Sequence, residues 1–558
     1  MTSIVTSTVK KPGDFRVLLV YPNLTMMLVP SLAMALFTSI LKSAGYTVDL
    51  FDTTHYVHEI SSSEDNRTKW LQLRPFDQKK LLGKELKTDI LGDFVRKVDD
   101  FKPDLMVVSV VEDTFLQAVT LLDAVKEAEI PSVIGGVFCT AAPEMAFSYP
   151  QVKMMGVGEG EETIRQVAER VRLGQSCDNV QNLWVKHDDG SVAKNDMGPL
   201  ANINKPYPDF SLFDEARFYR PMGGRTFKTV PLETYRGCPY TCTFCNSPMQ
   251  VTVTRENGLG NFLRRKKIST LRDEIQFMID EHNPEYFFIV DDSFLARPDA
   301  EIREFVDMYQ EFKIPFWFNT RPENINPERL DLLKSVNCDR MSFGMECGNE
   351  EYRRKVITRA PTNEKVIESF KIIAQGKIAY SVNSMIGFPG EDRDMIFETI
   401  ELNRQLRGFD SLSQAIFTPY HGTGLRELAI EKGYLSEDSI STHTTASSML
   451  NMPMITPQEL DGLIKTFNLY VRFPKEEWPQ IRKAEADTPE GNKLFEEYQV
   501  MFNARYLQGT QKTPEDWEDT DRYAVEPKGD GSDSDKPWGW NCGAEQTEYA
   551  VPPRESAN

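Results

Sequence analysis

Over the first 200 residues, short apolar and β-branched runs take turns with stretches in which apolar side chains recur every three to four positions. Strands are expected at 16–21, 48–51, 105–111, 132–134 and 152–155, with helices at 32–44, closed by Gly45, and at 115–128. This alternation predicts a doubly wound α/β unit over residues 15–200, a parallel sheet with helices on both faces, behind an arm of residues 1–14. Such sheets bind ligands beyond the carboxyl ends of their strands. Gly135-Gly136 follow the fourth strand and Gly156-Val157-Gly158-Glu159-Gly160 the fifth. A missing side chain there serves a tight turn or lets backbone approach a large ligand.

Residues 199–214 are proline-rich and without sustained period, and an interdomain connection is expected over 201–229. The alternation then resumes: 231–235, 286–290, 316–319, 341–345, 380–386 and 412–417 read as strands with helical patterns between them. Residues 230–425 thus hold six βα units, where a full barrel of this kind has eight. Residues 426–507 have helical spacing, at 456–472 and 476–505, and are expected to cover the barrel opening. Residues 508–558 are acidic and polar, too poor in apolar side chains to bury a core and expected to be disordered; Trp538, Trp540 and Cys542 interrupt them.

Charge and composition narrow the function. Acidic residues outnumber basic ones 84 to 64, for a net charge of −20, which argues against a nucleic-acid footprint. The basic run Arg264-Arg265-Lys266-Lys267 reads as a solvated loop face. The longest apolar stretch, 26–41, is interrupted by Pro30 and is shorter than the roughly 20 residues of a membrane span. Eight cysteines in 558 residues, with no secretory signal in residues 1–15, suit a reducing, cytoplasmic setting rather than a disulfide framework.

Three of those cysteines, Cys238, Cys242 and Cys245, form a CxxxCxxC loop directly after the first strand of the second unit. Three thiolates on a [4Fe–4S] cluster leave one iron with an open position. A zinc site would need a fourth thiolate or imidazole at compatible spacing, and none follows Cys245. The loop resembles that of the radical SAM superfamily. The resemblance implies that the open iron chelates S-adenosylmethionine and that an electron from the reduced cluster cleaves it to a 5′-deoxyadenosyl radical. It also implies a six-unit partial barrel and a reductant such as flavodoxin or ferredoxin. Candidate SAM contacts follow by position: Phe244 against adenine; Asp291, Asp292 and Ser293 at the end of the second strand; Arg321 after the third; Glu346 in Phe-Gly-Met-Glu-Cys-Gly; and Gly387 and Glu391 in the Ile-Gly-Phe-Pro-Gly-Glu segment. His421 stands in Pro-Tyr-His-Gly-Thr-Gly where relatives often have proline, a candidate proton donor or acceptor at the barrel mouth, or else a loop histidine.

The first unit resembles the cobalamin-binding domain that precedes the barrel in many radical SAM enzymes. Ser109, Gly135, Gly136, Gly158 and Glu159 are the contacts that this resemblance implies. The Asp-x-His-x-x-Gly loop that carries a cobalt-binding histidine elsewhere is replaced by Tyr21-Pro-Asn-Leu-Thr, and His55 and His58 follow the second strand instead. The expected activity is cobalamin-dependent methylation of an unactivated carbon in a small molecule, lipid or tetrapyrrole. Cyclisation, rearrangement, oxidation or carbon–carbon coupling are the other radical outcomes; a cofactor sensor without turnover is the non-enzymatic one. Cys139, Cys177 and Cys338 read as packing or surface residues, while Cys347 and Cys542 stay open.

Overall fold

The computed structural model describes residues 9–57, 63–73, 83, 85–223, 225–406 and 408–507. In the first unit β1 (Arg16–Tyr21), β2 (Thr47–Asp52), β3 (Leu105–Ser109), β4 (Ser132–Gly135) and β5 (Met154–Gly156) run parallel in the order β2-β1-β3-β4-β5. Val17, Leu18 and Leu19 are all buried, because helices cover both faces of the sheet. The helix Leu32–Ser43 starts where Ser31 accepts from the Met34 amide, and it turns Met34, Ala35 and Leu41 to the sheet. All five expected strands are present. A hairpin, β6 (Leu183–Lys186) and β7 (Val192–Lys194), extends the sheet antiparallel. Runs of three and four residues are too short for a period of two to stand out.

Strand order reverses between β1 and β3, which opens a crevice at their carboxyl ends. The second sheet places β9 (Arg225–Leu232), β12 (Tyr286–Ile289), β13 (Phe316–Thr320), β14 (Cys338–Glu346), β15 (Ala379–Ile386) and β16 (Ser411–Ile416) side by side, parallel and in chain order. These are the six βα units of a curled half-barrel. An antiparallel strand, β8 (Tyr219–Met222), lies outside β9, so the stretch read as a connection supplies an edge strand and the start of β9. A two-residue ladder, β10 (Tyr235–Arg236) with β11 (Arg264–Arg265), grips the base of the cysteine loop. It also corrects the reading of the basic run. Alternation turns Arg265 outward but buries Lys266, which donates to both oxygens of Glu274 at 2.6 and 2.7 Å.

Helix Pro457–Arg472 begins with a Thr456/Glu459 capping box and packs on β16 and on the helix Arg393–Gln405. The second expected helix is two, Trp478–Ala484 and Pro489–Phe502, because Thr488 caps a new start before Pro489. Residues 63–73 of the first unit reach the same place. The Gln72 amide donates to the Gln414 carbonyl of β16 at 2.9 Å, and Asn468 donates to the Leu71 carbonyl at 3.0 Å. An exposed strand edge is thereby covered by its own chain. The tail from 508, with Cys542, lies outside the described residues.

Candidate active site

The cysteine loop leaves the carboxyl end of β9 and is shaped by contacts that suit only this sequence. Gly237, at φ +92°, passes so close to Phe262 that a Cβ would sit 2.9 Å from its ring. Thr243 donates its hydroxyl to the Val356 carbonyl at 2.6 Å, and the Cys245 amide closes a turn onto Cys242 O at 3.1 Å. Cys242 is buried; Cys238 and Cys245 are half-buried. Burial pushes the Cys238 thiol up to about 11 and the Cys245 thiol to about 12. Such thiols become ligands when bound positive charge offsets their desolvation. Among the described residues no three His, Cys, Asp or Glu side chains converge as ligands of one ion do. A multinuclear cluster, bound at a different iron by each thiolate, needs no such convergence, and the loop fits it.

Two arginines flank the loop, Arg321 just after β13 and Arg359 between the helices Glu350–Lys355 and Asn363–Gln375. Arg321 lies face-on to Tyr240, 3.5 Å from its centroid, and donates to Cys242 Sγ at 2.6 Å. It is buried, so it is no ordinary surface ion pair. Arg359, which carried no signal in the sequence, donates to Glu346 Oε1 at 2.9 Å and to the Gly344 carbonyl at 2.5 Å. Glu346 sits in the left-handed region at φ +70°, beside a register shift between β14 and β15. A Cβ on Gly344 would meet its carboxylate at 2.3 Å, so the glycine makes room for the folded-back side chain. Strain of this kind in a non-glycine residue persists where packing over-determines it.

The other barrel residues divide into two groups. Asp291, expected to face SAM, is buried and turned away: it accepts from the Thr234 amide at 2.7 Å, the Tyr235 amide at 3.1 Å and Arg297 at 2.6 Å. Its role is corrected to a brace that ties β12 to the stem of the cysteine loop. Asp292 is exposed and accepts from Ser247 Oγ at 3.1 Å, and desolvation by the surrounding protein raises its carboxyl. Ser293 lies beside it, within 3.4 Å of Thr320 Oγ1. Phe244 packs near Phe388 with centroids 6.4 Å apart. Gly387, at φ +84°, and Phe388 both donate their amides to Glu391 Oε2, at 2.6 and 3.1 Å. Burial pushes Glu391 up to about 8 and leaves its Oε1 without a partner among the described residues. Cys347 is buried, its thiol 3.8 Å from the Asn349 carbonyl.

Ser109, Gly135, Gly136, Gly158 and Glu159 all line one cavity of about 200 Å³ at the carboxyl ends of β3, β4 and β5. Its walls are apolar, with Val107, Val133 and Met197 from the first unit and Val253 and Phe262 from the second. Gly136 (φ +131°) is required by packing as well, since a Cβ would lie 2.0 Å from the Val110 carbonyl. With glycines at the strand ends and hydrocarbon on the walls, the lining suits the face of a large planar cofactor. Glu159, besides lining the cradle, latches the two units together. Arg236 Nη1 donates to it at 3.0 Å, Arg264 at 3.1 Å and the Ala201 amide at 2.6 Å, leaving neither oxygen free. His55 lies in a different pocket, with Asp52, Tyr56, Lys87 and Asp93; His58 is outside the described residues.

Between cradle and cysteine loop lies a feature that sequence reading only half found. His421 is nine-tenths buried, and its Nδ1 is 2.7 Å from Glu112 Oε1, while its amide donates to Glu112 Oε2 at 2.9 Å. Glu112 also accepts from the Ser441 amide at 2.7 Å. Burial would raise this carboxyl, but His421 and the two amides hold it below the ordinary range. Glu112 and Asp113 start the helix that follows β3. An acidic pair just past the carboxyl end of a parallel strand was the available signal.

Comparison with known proteins assigns both halves. The Radical SAM superfamily model matches residues 232–402 and the B12 binding domain model residues 76–168. An uncharacterized methyltransferase of Pyrococcus horikoshii is 24% identical over 388 residues, 68% of this chain and 81% of its own. The cytidylyl-2-hydroxyethylphosphonate methyltransferase of Streptomyces wedmorensis is 23% identical over 418 residues, 67% and 76% of the two chains. In fold, the chain is similar to the cobalamin-dependent S-adenosylmethionine radical enzyme OxsB, solved with aqua-cobalamin and S-adenosylmethionine bound: TM-score 0.59 at 16% identity, covering 88% of this chain and 72% of that one. No helix among the described residues is long and apolar enough to cross a membrane.

Proposed function

We propose, for a chain that belongs to the radical SAM enzymes carrying a B12-binding domain, that it cleaves S-adenosylmethionine reductively and methylates an unactivated carbon of a small organic molecule. The observation that carries this reading is the placement of three thiols at the carboxyl end of one sheet, latched by Arg236, Arg264 and Glu159 to the glycine-lined cradle of the other. When bound, the [4Fe–4S] cluster supplies the electron, S-adenosylmethionine the radical and the methyl group, and cobalamin carries that methyl group.

The chain's residues do the holding. Cys238, Cys242 and Cys245 ligate the cluster, and Arg321 and Arg359 offset its negative charge beside Cys242. Asp292 and Ser293 face the methionine amine. Phe244 lies against the adenine, beside the Gly387 turn whose amides Glu391 pins. The net charge of −20 favours a small organic substrate over a polyanion. A low-potential donor such as flavodoxin or ferredoxin supplies electrons.

The test is anaerobic reconstitution with iron, sulfide and hydroxocobalamin, followed by dithionite and S-adenosylmethionine. 5′-Deoxyadenosine together with S-adenosylhomocysteine, from protein showing a cobalamin spectrum, is expected. An intact cluster that releases no deoxyadenosine would overturn the radical reading. Protein that never takes up cobalamin would overturn methylation.

A further inference from the structure

Glu112, Asp113, Tyr420 and His421 line a second cavity, of about 240 Å³, between the loop after β3 and the loop after β16. Val111, Val137, Phe138 and Ala141 make its apolar wall, and Asn246, next in sequence to Cys245, closes one side. Asn246 donates to the His421 carbonyl at 2.6 Å, so the cavity is tied to the cysteine loop. Gly136, next to Val137, ties it to the cradle.

The hydrogen bonds decide what the cavity presents. Glu112, ionised and accepting from two amides, takes its remaining bond from His421 Nδ1, which must therefore carry a proton. In the neutral ring the lone pair is then on Nε2, and Nε2 is buried with no hydrogen-bond partner among the described residues. Asp113 is the second acceptor; burial raises it to about 6, and Tyr420 donates to it at 3.1 Å. A buried acceptor that no protein group satisfies calls for a partner from outside the protein.

We infer that this cavity is a substrate subsite for a hydroxyl or amino group on an apolar body, with His421 Nε2 as its hydrogen-bond acceptor and Glu112 as the residue that fixes the ring's tautomer. This rests on the proposed function for the identity of the ligand as substrate. It does not rest on it for the tautomer or for the preference for a donor. A purely structural histidine would bridge the two units through Nδ1 and show no such preference.

The experiment uses the full chain labelled with ¹⁵N-histidine. Six histidines are few enough for His421 to be assigned by its loss in His421→Gln. An unprotonated Nε2 and protonated Nδ1 are expected in the wild type, and Glu112→Gln should raise the Nε2–H fraction with iron content unchanged. Phenol, the probe, should shift the Nε2 resonance, whereas anisole, which lacks the donor, should not; His421→Gln should weaken phenol about tenfold, one hydrogen bond's worth. A protonated Nε2 in the wild type, or equal responses to phenol and anisole, would overturn the subsite. Absence of deoxyadenosine from the same wild-type protein would instead sink only the proposed function, leaving the tautomer and probe results standing.

Discussion

The cysteine loop and the cradle sit at equivalent ends of two parallel sheets, yet they are built in opposite ways. Around the thiols, specificity comes from charged side chains held in tight geometry: Asp291 with Arg297, Glu346 with Arg359, Arg321 over Tyr240. Around the cradle it comes from side chains that are missing, with Gly135, Gly136 and Gly158 leaving backbone and hydrocarbon exposed. A small, highly charged group must be compensated charge by charge in a medium of low dielectric. A large ring is held by area and shape, which need room.

That contrast is broken most severely at the thiols. Alanine at Cys238, Cys242 or Cys245 should abolish deoxyadenosine formation and cost most of the bound iron, while cobalamin uptake is retained. Cys139→Ala and Cys338→Ala should keep both, because these thiols are buried in the core and only a small volume is lost. Serine there should cost more than alanine, since it buries an unpaired hydroxyl. A Cys338 variant that lost iron as completely as Cys242→Ala would overturn the three-ligand assignment.

Asp291→Asn is next in size. It leaves Arg297 buried opposite an amide and loosens the stem, so denaturation should show a loss of about 3 kcal/mol, a cost known for broken buried pairs, with iron content reduced in parallel. Gly136→Ala sharpens the other side. A Cβ driven toward the Val110 carbonyl should cost about 1–3 kcal/mol and weaken cobalamin retention at unchanged iron content. If iron falls with cobalamin, the two regions are coupled more tightly than their separate construction implies.

The smallest effect is a pH dependence. Glu391 is raised from the ordinary 4.5 to about 8. Between these values the folded protein binds more protons than the unfolded chain, so this group's contribution to stability is complete below 4.5 and declines as pH rises toward 8. Glu391→Gln keeps an acceptor for the Gly387 and Phe388 amides but cannot ionise. Melting temperature measured from pH 5 to 8 should fall less steeply in the variant than in the wild type; parallel curves would show that Glu391 is not the group responsible.

Some of this was legible residue by residue. Cysteine spacing announces a cluster because ligand number and separation along the chain are properties of the sequence itself. Glycines at strand ends are equally visible, being both turn markers and gaps. Asp291 was misjudged because its position at a strand end says nothing of whether the carboxylate points along the strand or back toward Thr234. The latch that Glu159 makes was illegible for the same reason, since Arg236 and Arg264 lie some eighty and a hundred residues away in the chain.

The order of strands and helices, two α/β units and the three-thiol loop were therefore determined by local pattern: periodicity, turn chemistry and spacing act over a few residues and need no knowledge of the fold. Which carboxylates brace and which face the cleft was decided only by the tertiary structure. So were the meeting of Glu112 with His421, more than three hundred residues apart, and the burial of Lys266 on Glu274. The physical reason is that a charged side chain's role depends on which partners and how much water surround it, and those are set by packing between segments distant in the chain.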